Sequence, residues 1–129
     1  MSIKNELIAK IQSKTLTMGV CGLGYVGLPL AVDKAKHGFK TIGFDVQQKK
    51  VDMVNAGQNY IGDVVDADLA ELVASGMLRA TNDFSFVGDV DFIAICVPTP
   101  LDAYQQPDIS YVKNSAIAAL QYICYNKRW

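Results

Sequence analysis

Val20-Cys21-Gly22-Leu23-Gly24-Tyr25-Val26-Gly27-Leu28-Pro29 is the stretch that decides the fold. It follows an apolar run, Leu16 to Cys21, and opens a helix-like run, Leu28 to His37. Eighteen residues after Gly27 comes Asp45, at the end of a second apolar run. The glycines alone are a weak signal. Strand, glycine turn, helix and acidic strand end together form the dinucleotide-binding signature. Gly22 lets the chain turn sharply off the first strand. Gly24 removes a side chain where a pyrophosphate approaches the backbone, and Gly27 lets the helix pack close to the strand. Free N–H groups and the dipole at the helix start favour the phosphates. Pro29 fits the first helical turn, where its missing N–H costs little. Asp45 accepts hydrogen bonds from both ribose hydroxyls and would repel a 2′-phosphate, so NAD is expected over NADP.

The periodicity extends this unit in both directions. Ile3, Leu7, Ile8 and Ile11 recur at helical spacing, predicting an amphipathic helix whose apolar stripe packs on the domain or on a partner. Helices are predicted over Gln47 to Ala56 and Asp66 to Ser75, stopped by Gly57 and Gly76, and Gly38 stops the helix before it. A short strand is expected at Leu78 to Ala80. A stronger one runs from Asp91 to Val97, apolar and β-branched as if buried on both faces. Pro98 and Pro100 end it. Asp108 caps a last helix, Ile109 to about Ile123. Strands alternating with helices give an α/β doubly wound parallel sheet, a Rossmann-like half with expected strand order 3-2-1-4 and an extra N-terminal helix. The expected organisation is an N-terminal helix over 1–14, a dinucleotide-binding domain over 15–123 and a tail over 124–129.

The 129 residues carry a net charge of −1, and 50% of them are hydrophobic. With Lys and Arg scattered, no nucleic-acid surface is expected. The strongest apolar run is too short for a bilayer, and the N-terminus has no signal-peptide pattern, so a cytoplasmic protein with no membrane partner is expected. Three cysteines, at 21, 96 and 124, include no C-x-x-C pair. Cys21 and Cys96 read as small buried hydrophobes and Cys124 as an exposed thiol. His37, the single histidine, suits a helix C-terminus. Asp63, Asp66 and Asp68 read as helix-cap and solvated first-turn acids, so no metal site is expected. Tyr60 and Ile61 read as packing residues.

Further segments narrow the reading. They are Phe44-Asp45, Asn59-Tyr60-Ile61-Gly62-Asp63-Val64, Leu78-Arg79-Ala80-Thr81, Ile95-Cys96-Val97-Pro98-Thr99-Pro100-Leu101 and Pro107-Asp108-Ile109-Ser110-Tyr111-Val112. With the glycine stretch, they resemble the N-terminal domain of the UDP-glucose/GDP-mannose dehydrogenase family, over roughly residues 1 to 123. Within it the chain looks most like the bacterial branch acting on UDP-N-acetylhexosamines for surface polysaccharide. The resemblance implies NAD as cofactor. It also implies a two-step oxidation of a sugar C6 alcohol to a carboxylate, through an aldehyde held on a cysteine. Tyr25 and Val26 would touch the pyrophosphate through their backbone, beside Gly22, Gly24 and Gly27. Asp45 would bind the adenine ribose. Pro98 and Thr99 would lie at the cofactor, Thr99 near its ribose, although a plain turn also accounts for Thr99. Lys50 stands where the family often has an arginine near the adenosine, and a solvated helix lysine is its plainer reading.

The resemblance stops at Cys124-Tyr125-Asn126-Lys127-Arg128-Trp129. The family continues into a further strand, a catalytic lysine, a catalytic cysteine and a sugar-binding domain. The chain therefore reads as a truncated piece that meets a UDP-sugar only in the full-length enzyme and is inactive alone. The alternative is a free-standing dinucleotide-binding or regulatory module without chemistry. Truncation would leave the strand Phe92-Val97 as an open apolar edge, so a homodimer is expected through that edge or through the N-terminal helix.

Overall fold

The structure, a computed structural model, describes residues 2–97, 110 and 112–117. Expectations for Pro98, Thr99, the Asp108 cap, Cys124 and the tail fall outside the described residues. Helix α1 spans Ile3–Ser13, β1 Met18–Cys21, α2 Gly27–Lys36 and β2 Thr41–Phe44. Then come α3 Gln48–Asn55, α4 Asp66–Ala74, β3 Leu78–Thr81, a 3-10 helix Phe84–Asp89 and β4 Phe92–Ile95. Residues 110 and 112–117 are helical, within the expected last helix. The four strands form one parallel sheet in the order β3-β2-β1-β4, as expected. Met18 is in register with both Thr41 and Phe92, and Thr41 with Leu78, so the strands start level.

A parallel sheet needs cover on both faces, because each crossover returns over one of them. On one face, α2, α3 and α4 bury Leu28, Ala31, Val32, Val51, Val54 and Leu69 against Val20 and Leu78. On the other, Ile42 and Phe44 of β2 pack with Val87 and Val90, and Phe44 stacks on Phe84 at 5.6 Å between centroids. Ser115 hydrogen-bonds Cys21. The stops are as read: Gly38, Gly57 and Gly76 all have positive φ just past a helix end.

Three expectations need correction. The fourth strand is Phe92–Ile95, not Asp91 to Val97, and it is not buried on both faces: Phe92 is 51% exposed and the others are half-buried. It pairs with β1 on one side and is an edge of the described sheet. Asp91 serves instead as a bracket, accepting from Thr17 N–H at 3.1 Å and from Lys10 Nζ at 2.9 Å. Second, α1 packs little: it has no buried residue, and Ile3, Ile8 and Ile11 are exposed. Third, Cys96 is only half-buried.

Candidate functional site

All four strands point their carboxyl ends the same way, and the glycine loop leaves from that end. Gly22 N–H donates to the Phe44 carbonyl at 2.7 Å, and Cys96 N–H to the Cys21 carbonyl at 2.7 Å, so the ladder runs up to the turn. Gly22 then takes φ 95°, a region disfavoured for side chains. A Cβ there would also overlap the Cys96 carbonyl oxygen, and one on Gly27 would overlap the carbonyl oxygen of Gly22. Gly24 differs, since a Cβ on it would meet no atom of the described residues within 4 Å.

Helix α2 starts at Gly27 with Val26 as its cap residue, no side-chain cap and no acid in its first turn. Among the described residues, no acceptor takes the N–H groups of Gly24, Tyr25 and Val26. Unfilled donors at a helix start suit an anion, as helix N-termini generally do. Tyr25 is 82% exposed, so the loop crest stands in solvent.

Asp45 is 7% exposed at the end of β2. Its Oδ2 accepts from Leu23 N–H at 2.9 Å and its Oδ1 from Gln47 N–H at 2.8 Å. A carboxylate has about four acceptor positions, so two remain for a ligand. The carboxylate thus ties the glycine loop to β2 as well as facing the cleft. That cleft has a volume of about 530 Å³, within the range of small-molecule sites. Gly22, Leu23, Gly24, Tyr25, Val26, Asp45, Lys50, Tyr60, Ile61, Cys96 and Val97 line it. Of the nine residues expected at the site, Gly22, Gly24, Tyr25, Val26, Asp45 and Lys50 are brought to its wall. Gly27 lies behind it as the helix–strand contact, and Pro98 and Thr99 are outside the described residues.

Lys50 thus belongs to the cleft wall rather than to a solvated helix face alone. Tyr60 is a further wall residue that the sequence reading treated as packing. Its hydroxyl donates to the Leu23 carbonyl at 2.6 Å. Burial, with the Asp45 charge adding to it, pushes its pKa up to about 12, so the phenol is a firm donor at neutral pH. Burial also raises both described thiols, Cys21 and Cys96, which keeps them protonated and poor nucleophiles. Among the described residues no group of His, Cys, Asp and Glu could hold a metal ion. Asp66 and Asp68 lie in the first turn of α4, whose cap residue Val65 makes no side-chain cap; Asp68 pairs with Lys36 at 2.9 Å and Asp66 accepts from Asn59. No described helix is long and apolar enough to cross a membrane.

Residues 16–127 match the UDP-glucose/GDP-mannose dehydrogenase family, NAD binding domain. The chain is 41% identical over 106 residues to an NDP-N-acetyl-D-galactosaminuronic acid dehydrogenase of Ralstonia nicotianae, covering 79% of this chain and 24% of that protein. It is 38% identical over 104 residues to a UDP-N-acetyl-D-mannosamine dehydrogenase of Escherichia coli, covering 78% and 23%. The fold superposes on a UDP-glucose dehydrogenase of Pyrobaculum islandicum with a TM-score of 0.81 and 31% identity, over 88% of this chain and 27% of that one. The chain therefore spans about a quarter of the length of the relatives it matches. Sheet order, glycine turn and sequence match agree: the chain belongs to the UDP-glucose/GDP-mannose dehydrogenase family, as its NAD-binding domain.

Proposed function

We propose that this domain seats NAD for a cytoplasmic nucleotide-sugar 6-dehydrogenase, which oxidises the C6 alcohol of a UDP-N-acetylhexosamine to a carboxylate. The observation that carries the reading is the open glycine loop: three N–H groups without acceptors among the described residues, and no described atom near a Cβ on Gly24, beside the Asp45 carboxylate. The relatives' names support the sugar class. The loop N–H groups would hold the diphosphate and Asp45 the adenine ribose. Lys50, on the cleft wall, would add a positive charge near the adenosine. By the family resemblance, Pro98 and Thr99 would lie at the cofactor, Thr99 near its ribose. When bound, NAD supplies the hydride acceptor. The described chain supplies orientation: an anion seat on the glycine loop and an anchoring carboxylate beside it.

A calorimetric titration with NAD and NADP tests the seat. The chain is expected to bind NAD and to discriminate against NADP. Asp45→Ala should weaken NAD by about 1.5–3 kcal/mol, the worth of charged hydrogen bonds. It should weaken NADP less, because the repulsion of the 2′-phosphate goes with the carboxylate. Equal losses for both would leave Asp45 acting through the loop alone. Self-association is proposed as well, through α1 or the β4 edge. The exposed Ile3, Ile8, Ile11 and Phe92 support it.

A further inference from the structure

Leu23 sits between the two glycines that shape the anion seat, and both of its peptide groups are gripped. Its N–H donates to Asp45 at 2.9 Å, and its carbonyl accepts from the Tyr60 hydroxyl at 2.6 Å. A peptide is planar and trans, so a carbonyl and the following N–H point in opposite directions. Holding the Leu23 carbonyl therefore aims the Gly24 N–H. The next plane is held too, since Leu28 N–H donates to the Gly24 carbonyl at 3.2 Å. Three successive planes are fixed in this way, and the middle one is fixed by Tyr60. The Leu23 side chain is fully buried, which holds the residue in place while its peptides are set.

Tyr60 is itself built in. Asn59 Oδ1 accepts from Ile61 N–H at 2.9 Å, and Asn59 Nδ2 donates to the Val64 carbonyl and to Asp66 Oδ1. Ile61 and Val64 are buried, so the turn is anchored just after the phenol. The ring lines the cleft and its hydroxyl points at the loop, not at solvent.

We propose that Tyr60 is a positioning residue for the cofactor's diphosphate, acting by fixing the Leu23–Gly24 peptide so that the loop N–H groups converge on it. The proposal rests on the NAD reading above. The test uses Tyr60→Phe, which keeps the ring and removes the donor. NAD, ADP and adenosine are titrated against the chain by NMR. ADP carries the diphosphate and adenosine does not. NAD and ADP are expected to weaken about 3- to 10-fold, the range of one lost hydrogen bond. Adenosine should bind as before. Equal weakening of adenosine and ADP would mean a direct adenosine contact or a general loss of structure, and would overturn the proposal. Asn59→Ala, which keeps the phenol but frees its turn, should show the same split, and unchanged ADP affinity there would count against the clamp. A parent chain that binds neither NAD nor ADP would sink the cofactor reading and this inference with it. A parent that binds both, with Tyr60→Phe binding them equally well, would sink this inference alone.

Discussion

A methyl group placed on Gly24 meets none of the described residues, while one placed on Gly27 runs into the Gly22 carbonyl oxygen. Two glycines of one motif thus answer to different constraints. Gly27 is required by the fold, and Gly24 only by whatever comes to the loop. Gly24 is also not among the glycines with positive φ, so alanine can take its backbone shape. Gly24→Ala should melt at or slightly above the parent, since it removes freedom from the unfolded chain, an effect of about 0.4–1 kcal/mol. It should nevertheless lose more than about 1.4 kcal/mol of NAD affinity, a factor of ten. Gly27→Ala should lose about 1–3 kcal/mol of stability or more through overpacking. Thermal melts beside calorimetry check the pair, and NAD binding by Gly24→Ala at parental strength would remove Gly24 from the site. The structural roles of Gly22 and Gly27 were legible because they are local, set by a strand, a turn and a helix in sequence order. The second role of Asp45, as acceptor for Leu23 and Gln47, was not. Nor was the Tyr60 contact, since its partner is a backbone carbonyl 37 residues away and no side-chain pattern marks it.

At the scale of elements, helix ends were easier to read than strand ends. Gly38, Gly57 and Gly76 punctuate helices through backbone shape, which sequence displays directly. Strand ends depend on where pairing stops. Leu16 is buried like a strand residue, yet β1 begins at Met18. The 3-10 helix Phe84–Asp89 was missed because six residues give too little periodicity, although Asp83 caps it by accepting from Ser85 N–H. One device joins an element end to a sheet edge. Asn55, the last residue of α3, pairs its amide with both backbone groups of Ala80, donating at 2.9 Å and accepting at 2.8 Å. The side chain does what a neighbouring strand would do for β3, the other edge of the described sheet. Asn55→Ala leaves two part-buried backbone groups unpaired, so it should cost about 1–3 kcal/mol in urea unfolding. The NAD affinity of the folded fraction should stay close to the parent's. Asn55→Asp should recover only the acceptor half, and equal stability of both variants with the parent would refute the pairing role.

Across the whole molecule, the strand order was legible because parallel strands joined by right-handed crossovers leave few arrangements. What sequence periodicity could not decide was which surface α1 covers. A stripe of Ile3, Leu7, Ile8 and Ile11 says that a face is apolar, not that the domain is there to meet it. The structure fastens α1 at one end, through Lys10 and Asp91, at the amino ends of the strands and away from the cleft. Lys10 is nearly half exposed, and a pair of that kind contributes only about 0–1 kcal/mol. The isoleucines stay in solvent, with 52% of Ile11 exposed. An apolar face held this loosely is stabilised by meeting another, and a second copy of the chain offers an identical one. The parent is therefore expected to sediment as a concentration-dependent dimer. Ile8→Glu with Ile11→Glu should shift it to monomer without changing NAD affinity, because α1 lies at the end of the sheet opposite the glycine loop. If that double variant stays dimeric while Phe92→Lys becomes monomeric, the β4 edge is the interface instead. A parent that remains monomeric at high concentration would remove both surfaces from consideration.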